Sequence, residues 1–146
     1  MSADRHRDVL LAVFAGTAKG DGRAFVAMLA DDVCWEVIGT TSWSRSYAGK
    51  EAVLRQLRGP LAANFAGGNI VTAERILVDG DVAAVEGRNH SVTHAGERYA
   101  NRYCWVMRFS DGLVSEIVEY CDTALIERVL PPQQAAVASS GQSGPA

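Results

Sequence analysis

Apolar residues recur at helical spacing in the first part of the chain and at every second position in its later half. From about Asp4 to Ala18, the residues Val9, Leu10, Val13, Phe14 and Thr17 fall on one face of an amphipathic helix. Gly20-Asp21-Gly22 breaks that pattern. A second helix presents Phe25, Met28 and Leu29 and runs to about Asp31-Asp32. Val33 to Ile38 then alternates as a short strand, with Val33, Trp35 and Val37 on one face. The polar loop from Gly39 to Ala48 carries Trp43 and Tyr47, and is expected to cover the mouth of a cavity. A third helix opens at Gly49-Lys50-Glu51 with Val53, Leu54 and Leu57 as its stripe, and Gly59-Pro60 should kink or end it.

From Gly68 the period becomes two. Strands are expected at about 69–79, 81–93, 97–109 and 113–121, separated by Asp79-Gly80, Ala95-Gly96 and Asp111-Gly112. Asp122 is placed to cap a closing helix that ends near Leu130, where Pro131-Pro132 stops it. Helices followed by an antiparallel meander predict one α+β domain over residues 1–130. The remainder, 131–146, is a low-complexity tail expected to be disordered and dispensable.

Composition narrows the class. A chain of 146 residues holds one domain with a real core, and its net charge of −3 gives no reason to expect nucleic acid. No apolar run approaches the roughly 18 residues of a membrane span. The start, MSADRHRD, is polar, so a cytoplasmic protein is expected. Cys34, Cys104 and Cys121 form no CxxC pair and read as buried reduced thiols. No phosphate-binding glycine loop and no metal-ligand spacing occurs, so neither cofactor nor metal is expected.

The candidate chemistry lies in the last three strands. Tyr99, Asn101, Tyr103, Trp105, Met107 and Phe109 share one face, with Arg98, Arg102 and Arg108 on the other. An amide in the middle of an aromatic inner face needs hydrogen-bond partners. Turn length decides what joins it. A two-residue Asp111-Gly112 turn would place Tyr120 opposite Tyr103 and Glu119 on the outer face. A three-residue Ser110-Asp111-Gly112 loop with a glycine bulge would place Glu119 opposite Tyr103 and Cys121 opposite Asn101, both inside. Likewise, a two-residue Ala95-Gly96 turn brings Arg88 and His90 inward, and a three-residue His94-Ala95-Gly96 loop turns them out. His6 and His94 are expected at the surface. The last strand has apolar residues on both faces, Ile117 and Cys121 against Val114, Val118 and Tyr120, so a homodimer through the outer sheet face is expected.

ADDVCWEV before the first strand, Tyr47-Ala-Gly-Lys-Glu-Ala-Val at the third helix and FSDGLVSEIVEYCDTAL at the end resemble the nuclear transport factor 2-like superfamily. The chain is most similar to its SnoaL-like branch of polyketide cyclases and of limonene-epoxide-hydrolase and ketosteroid-isomerase relatives. The resemblance implies a cone-shaped, strongly curved antiparallel sheet wrapped around the N-terminal helices and enclosing an apolar pocket. It implies Glu119 facing inward and Arg88 matching the arginine of the epoxide-hydrolase site, with His90 near its second acid. Val37 stands where isomerases carry their aspartate base, and Trp105 where they carry the protonated aspartate of the oxyanion hole. Glu119, His90 and Arg88 are therefore the catalytic candidates. Asn101, Tyr103, Trp35, Trp105, Tyr47, Val37 and Cys121 are the substrate-binding ones. The implied activity is cofactor-free acid/base chemistry on a hydrophobic oxygenated small molecule: cyclisation, isomerisation, dehydration or epoxide opening. The competing class is a non-catalytic ligand-binding or dimerisation module of the same fold.

Overall fold

Residues 2–133 are described by a computed structural model. Helix α1 (Ala3–Thr17) is capped by the Ser2 hydroxyl, which accepts from Arg5 N. Its buried face carries Leu10, Val13, Phe14 and Thr17 as expected, and also His6. His6 is a correction to the surface placement. Its ring stacks on Phe109 at 4.0 Å and its Nε2 meets Asp81 Oδ1 at 2.9 Å, tying the start of the helix to a sheet turn.

Helix α2 (Arg23–Ala27) is shorter than its pattern suggested, because Leu29 enters the sheet. Strand β1 (Leu29–Val37) pairs with β2 (Ser46–Ala48) on one side and with β9 (Leu113–Cys121) on the other. The β1–β9 pair is parallel, while every other pair of strands is antiparallel. With β4 (Val71–Asp79), β5 (Val82–Asn89) and β8 (Arg102–Ser110) they form a curved six-stranded sheet in the order β2-β1-β9-β8-β5-β4. A smaller sheet holds β3 (Phe65–Ala66), β6 (Ser91–Thr93) and β7 (Arg98–Tyr99). The fold is α+β, with α1 packed on the inner sheet face. No helix among the described residues is long and apolar enough to cross a membrane.

Two expected long strands are each broken in the middle. The breaks fall at His90 and at Ala100-Asn101, beside Asn89 and Asn101, both fully buried. A strand that bends leaves backbone groups without a ladder partner, and a side-chain amide can replace one. Asn101 Oδ1 accepts from Asp122 N at 2.9 Å, and its Nδ2 donates to Asp122 O at 3.2 Å and to Tyr99 Oη at 2.8 Å. Asp122 in turn caps helix α5 (Thr123–Val129) by accepting from Leu125 N. The inner-face amide is thus consumed in holding the corner of the sheet to the last helix.

The third helical run does not end at Gly59-Pro60. Helix α3 (Lys50–Ala52), a π-helical segment (Val53–Arg58) and α4 (Gly59–Ala62) follow one another without a break. The wider turn carries the helix up to a proline that has no N–H to offer the preceding carbonyls. One of those carbonyls, Gln56 O, accepts from Gln133 Nε2 at 2.6 Å. Gln133 N also donates to Ser42 Oγ, and Pro131 O accepts from Trp43 Nε1. Pro131 and Gln133, just after the closing helix, thus make hydrogen bonds to the loop after β1 and to the third helical run. The disorder expected of 134–146 lies outside the described residues.

Candidate active site

A cavity of about 200 Å³ lies between the helices and the inner face of the sheet. Its aromatic wall is Trp35 from β1 and Tyr103 and Trp105 from β8, with Phe14 and Phe25 from the helices opposite. Trp105 stacks with Tyr103 at 4.6 Å and with Phe14 at 5.6 Å. Trp105 can lie flat there because β5 has a glycine beneath it. A Cβ on Gly87 would come within 2.7 Å of Trp105 Cζ3 and 2.8 Å of Thr72 O. Gly87→Ala is expected to cost about 2 kcal/mol by overpacking, read by chemical denaturation, and to shift the tryptophan emission as Trp105 moves.

At the base of this wall is Glu119, 9% exposed. Its inward placement comes from a bulge within the strand, at Ser115, and not at the loop glycine. Asp111-Gly112 makes a two-residue turn, both residues at positive φ, and Ser110 pairs with Leu113. That register alone would turn Glu119 outward. Between Val114 and Glu116, however, Ser115 is an extra residue with no partner, and its hydroxyl donates to Arg108 O at 3.3 Å. This β-bulge switches the face of everything after it. Glu119 then opposes Trp105, and Cys121 opposes Tyr103. Val114 consequently points inward with Ile117, not outward with Val118 and Tyr120.

Trp105 Nε1 donates to Glu119 Oε1 at 3.0 Å. Burial pushes the Glu119 carboxyl above its ordinary value. The indole N–H of Trp105 and the Cys121 thiol, with a smaller effect of Trp35, favour the ionised form without overcoming it. Trp35 Nε1 is itself buried and makes no hydrogen bond among the described residues. Tyr103 is held far above the ordinary phenol range, first by burial and then by Tyr99 and Glu119. Cys121 is raised by the same two causes, burial and the adjacent Glu119.

The three expected catalytic residues do not meet. The hairpin β6–β7 closes with the three-residue loop, Thr93 N donating to Glu97 O, and that register faces Arg88 and His90 outward. Arg88 pairs with Glu74 at 3.2 Å, and exposed His90 bonds Thr72 Oγ1 at 2.9 Å. An inward arginine would have ionised Glu119. Without one, desolvation governs it. Of the expected binding residues, Trp35, Tyr103 and Trp105 line the cavity. Tyr47, Val37, Cys121 and Asn101 do not. Tyr47 is buried and donates to Trp43 O at 2.8 Å, so this loop packs as core rather than covering the mouth.

Two polar cavity residues lay outside the sequence reading. Arg58 comes from the end of the π-helical segment, its guanidinium 4.5 Å from the Phe25 ring centroid. Asn69 follows the helices, and its Oδ1 accepts from both Asn89 Nδ2 at 2.7 Å and Ser91 Oγ at 3.0 Å. The only hint for Arg58 was its place one turn after Leu54, on an otherwise apolar stripe. Among the described residues, no three His, Cys, Asp or Glu side chains gather as a metal-ligand set.

The SnoaL-like domain family matches residues 10–117. No curated protein matches the chain. Among solved structures, an NTF2-like protein from Burkholderia thailandensis E264 superposes with a TM-score of 0.74 at 18% identity, over 90% of this chain and 100% of that one. A protein from Jannaschia sp. CCS1, provisionally assigned as a SnoaL-like polyketide cyclase, gives 0.71 at 15% identity over 89% and 95%. TerC, co-crystallised with polyporic acid, gives 0.71 at 16% identity over 86% and 97%.

Proposed function

The chain belongs to the SnoaL-like domain family, and from that premise we propose a cofactor-free acid/base enzyme acting on a hydrophobic, oxygenated small molecule. The observation that carries this reading is Glu119: a buried carboxyl at the base of an aromatic cavity, held by the Trp105 indole. Its raised pKa keeps a proton available at pH values where an exposed glutamate has lost its own. Glu119 donates that proton to a substrate oxygen, and the carboxylate so formed takes one from a neighbouring carbon. The protein is thereby returned to its starting state. No second carboxylate lines the cavity among the described residues, so one group alternating between both roles suits cyclisation or isomerisation better than activation of water. That TerC, of the same fold, was crystallised with polyporic acid supports a small organic ligand for the cone. Turnover of a panel of enolisable polycyclic ketones by wild type and by Glu119→Gln is the test.

We also propose a homodimer through the outer sheet face. The bulge at Ser115 takes Val114 from that face, but Val106 and Val118 remain there, only partly covered, and Tyr120 is 49% exposed. Light scattering at micromolar concentration is expected to give twice the chain mass of 15.6 kDa. A monomer would refute it.

A further inference from the structure

Arg58 is the one cation among the described residues that line the cavity, and Glu119 the one carboxyl. Six of the twelve arginines, Arg23, Arg55, Arg75, Arg88, Arg102 and Arg108, have carboxylate partners. Arg58 has none among the described residues and makes no hydrogen bond there. Its guanidinium lies over Phe25 and against the backbone of Gly22, where a Cβ would come within 2.6 Å of Nη2. It also borders the shallow surface depression formed by Gly22, Arg23, Val26 and Ala27, which puts it between cavity and solvent. A guanidinium stays charged in such a place, so it brings an unneutralised positive charge to the entrance of an apolar chamber. Asn69 lines the same cavity. Two donors occupy its Oδ1, which fixes the amide and leaves Nδ2 as a donor without a protein partner among the described residues. The N–H of Trp35, another lining residue, likewise makes no hydrogen bond among the described residues.

We propose that Arg58 is the anion anchor of the cavity and that its ligand is a planar organic acid, bound with its charge at Arg58 and Asn69 and its apolar body against Tyr103 and Trp105. Calling that ligand the substrate rests on the acid/base reading of Glu119; its binding does not. A planar carboxylate or comparable delocalised anion matches the guanidinium fork, and Phe25 holds the fork from behind. Charge at one end and a proton-transferring carboxyl at the other fix the ligand end to end, as orientation in a single reacting pose requires.

The probe pair is 2-naphthoate and 2-naphthamide, nearly equal in shape and different in charge, titrated calorimetrically into the full chain. Wild type is expected to bind naphthoate at least about tenfold more tightly than the amide, as for a charge-assisted pair. Arg58→Gln should bring naphthoate down to the amide's affinity while leaving the amide unchanged. Arg58→Met, which keeps apolar bulk beside Phe25, should do the same if the glutamine variant does not fold. Glu119→Gln should keep the tenfold ratio. Equal binding of the two probes to wild type, a ratio that survives in a folded Arg58 variant, or no binding of either probe would overturn the proposal. A Glu119→Gln variant with wild-type turnover would instead defeat the acid/base reading and leave the ratio untouched.

Discussion

Replacing Glu119 with glutamine is expected to lower turnover by about 100-fold or more while the fold persists, the usual cost of losing an acid/base group. Glutamine keeps an oxygen for the Trp105 N–H and fills the same space, so the loss reports the proton alone. The same substitution has an opposite signature in stability. Burial raises the folded-state pKa of Glu119 above the ordinary glutamate value of 4.5, so the folded chain holds this proton more tightly than the unfolded chain. Its contribution is therefore full below the ordinary value and is lost as pH rises through the folded one. The glutamine variant should escape that loss, melting higher than wild type at neutral and alkaline pH and converging with it in acid. Turnover within a few-fold of wild type would remove Glu119 from the chemistry. A melting difference independent of pH would mean that the carboxyl is already ionised when folded.

Asn101→Ala is expected to destabilise the protein by about 3 kcal/mol in chemical denaturation. It deletes a fully buried side chain and leaves Asp122 N, Asp122 O and the Tyr99 hydroxyl without their partner. Each stranded buried group costs about 1–3 kcal/mol before relaxation. Because these bonds hold the sheet corner to the cap of α5, protection of the α5 amides from hydrogen exchange should fall with global stability. A loss below about 1 kcal/mol would show that water replaces the amide, and that the corner does not depend on it.

Periodicity was enough to read the order of the helices and long strands, because their spacing is a local property, but not the short strands β2 and β3. The inner aromatic face of β8 was equally legible: alternation puts Tyr103, Trp105, Met107 and Phe109 on one side. What alternation cannot carry is parity across an irregularity. Glu119 was recognised as a candidate, but by an expected loop of three residues, whereas a two-residue turn plus one unpaired serine produces its inward face. The partner changes with it, from Tyr103 to Trp105. Arg88 and His90 depended on a second turn, and there the three-residue alternative holds. Arg58 was missed for a different reason. Gly59-Pro60 reads as a helix end, and a π-helical turn that carries the chain past a proline has no spacing of its own to find.

The unpaired Ser115 also bears on how such a cone changes over generations. Substituting a cavity residue alters one wall position at a time. Losing the codon for Ser115 would invert the remainder of β9 in a single event, exchanging Glu119 for its neighbours Val118 and Tyr120 while the turn and the strand before it stay as they are. A lineage could thus pass between a reactive chamber and an inert greasy one without revising any side chain, and could return by gaining one residue back. Length variation in this strand, more than side-chain identity along it, is where a change of occupation among related chains should be sought.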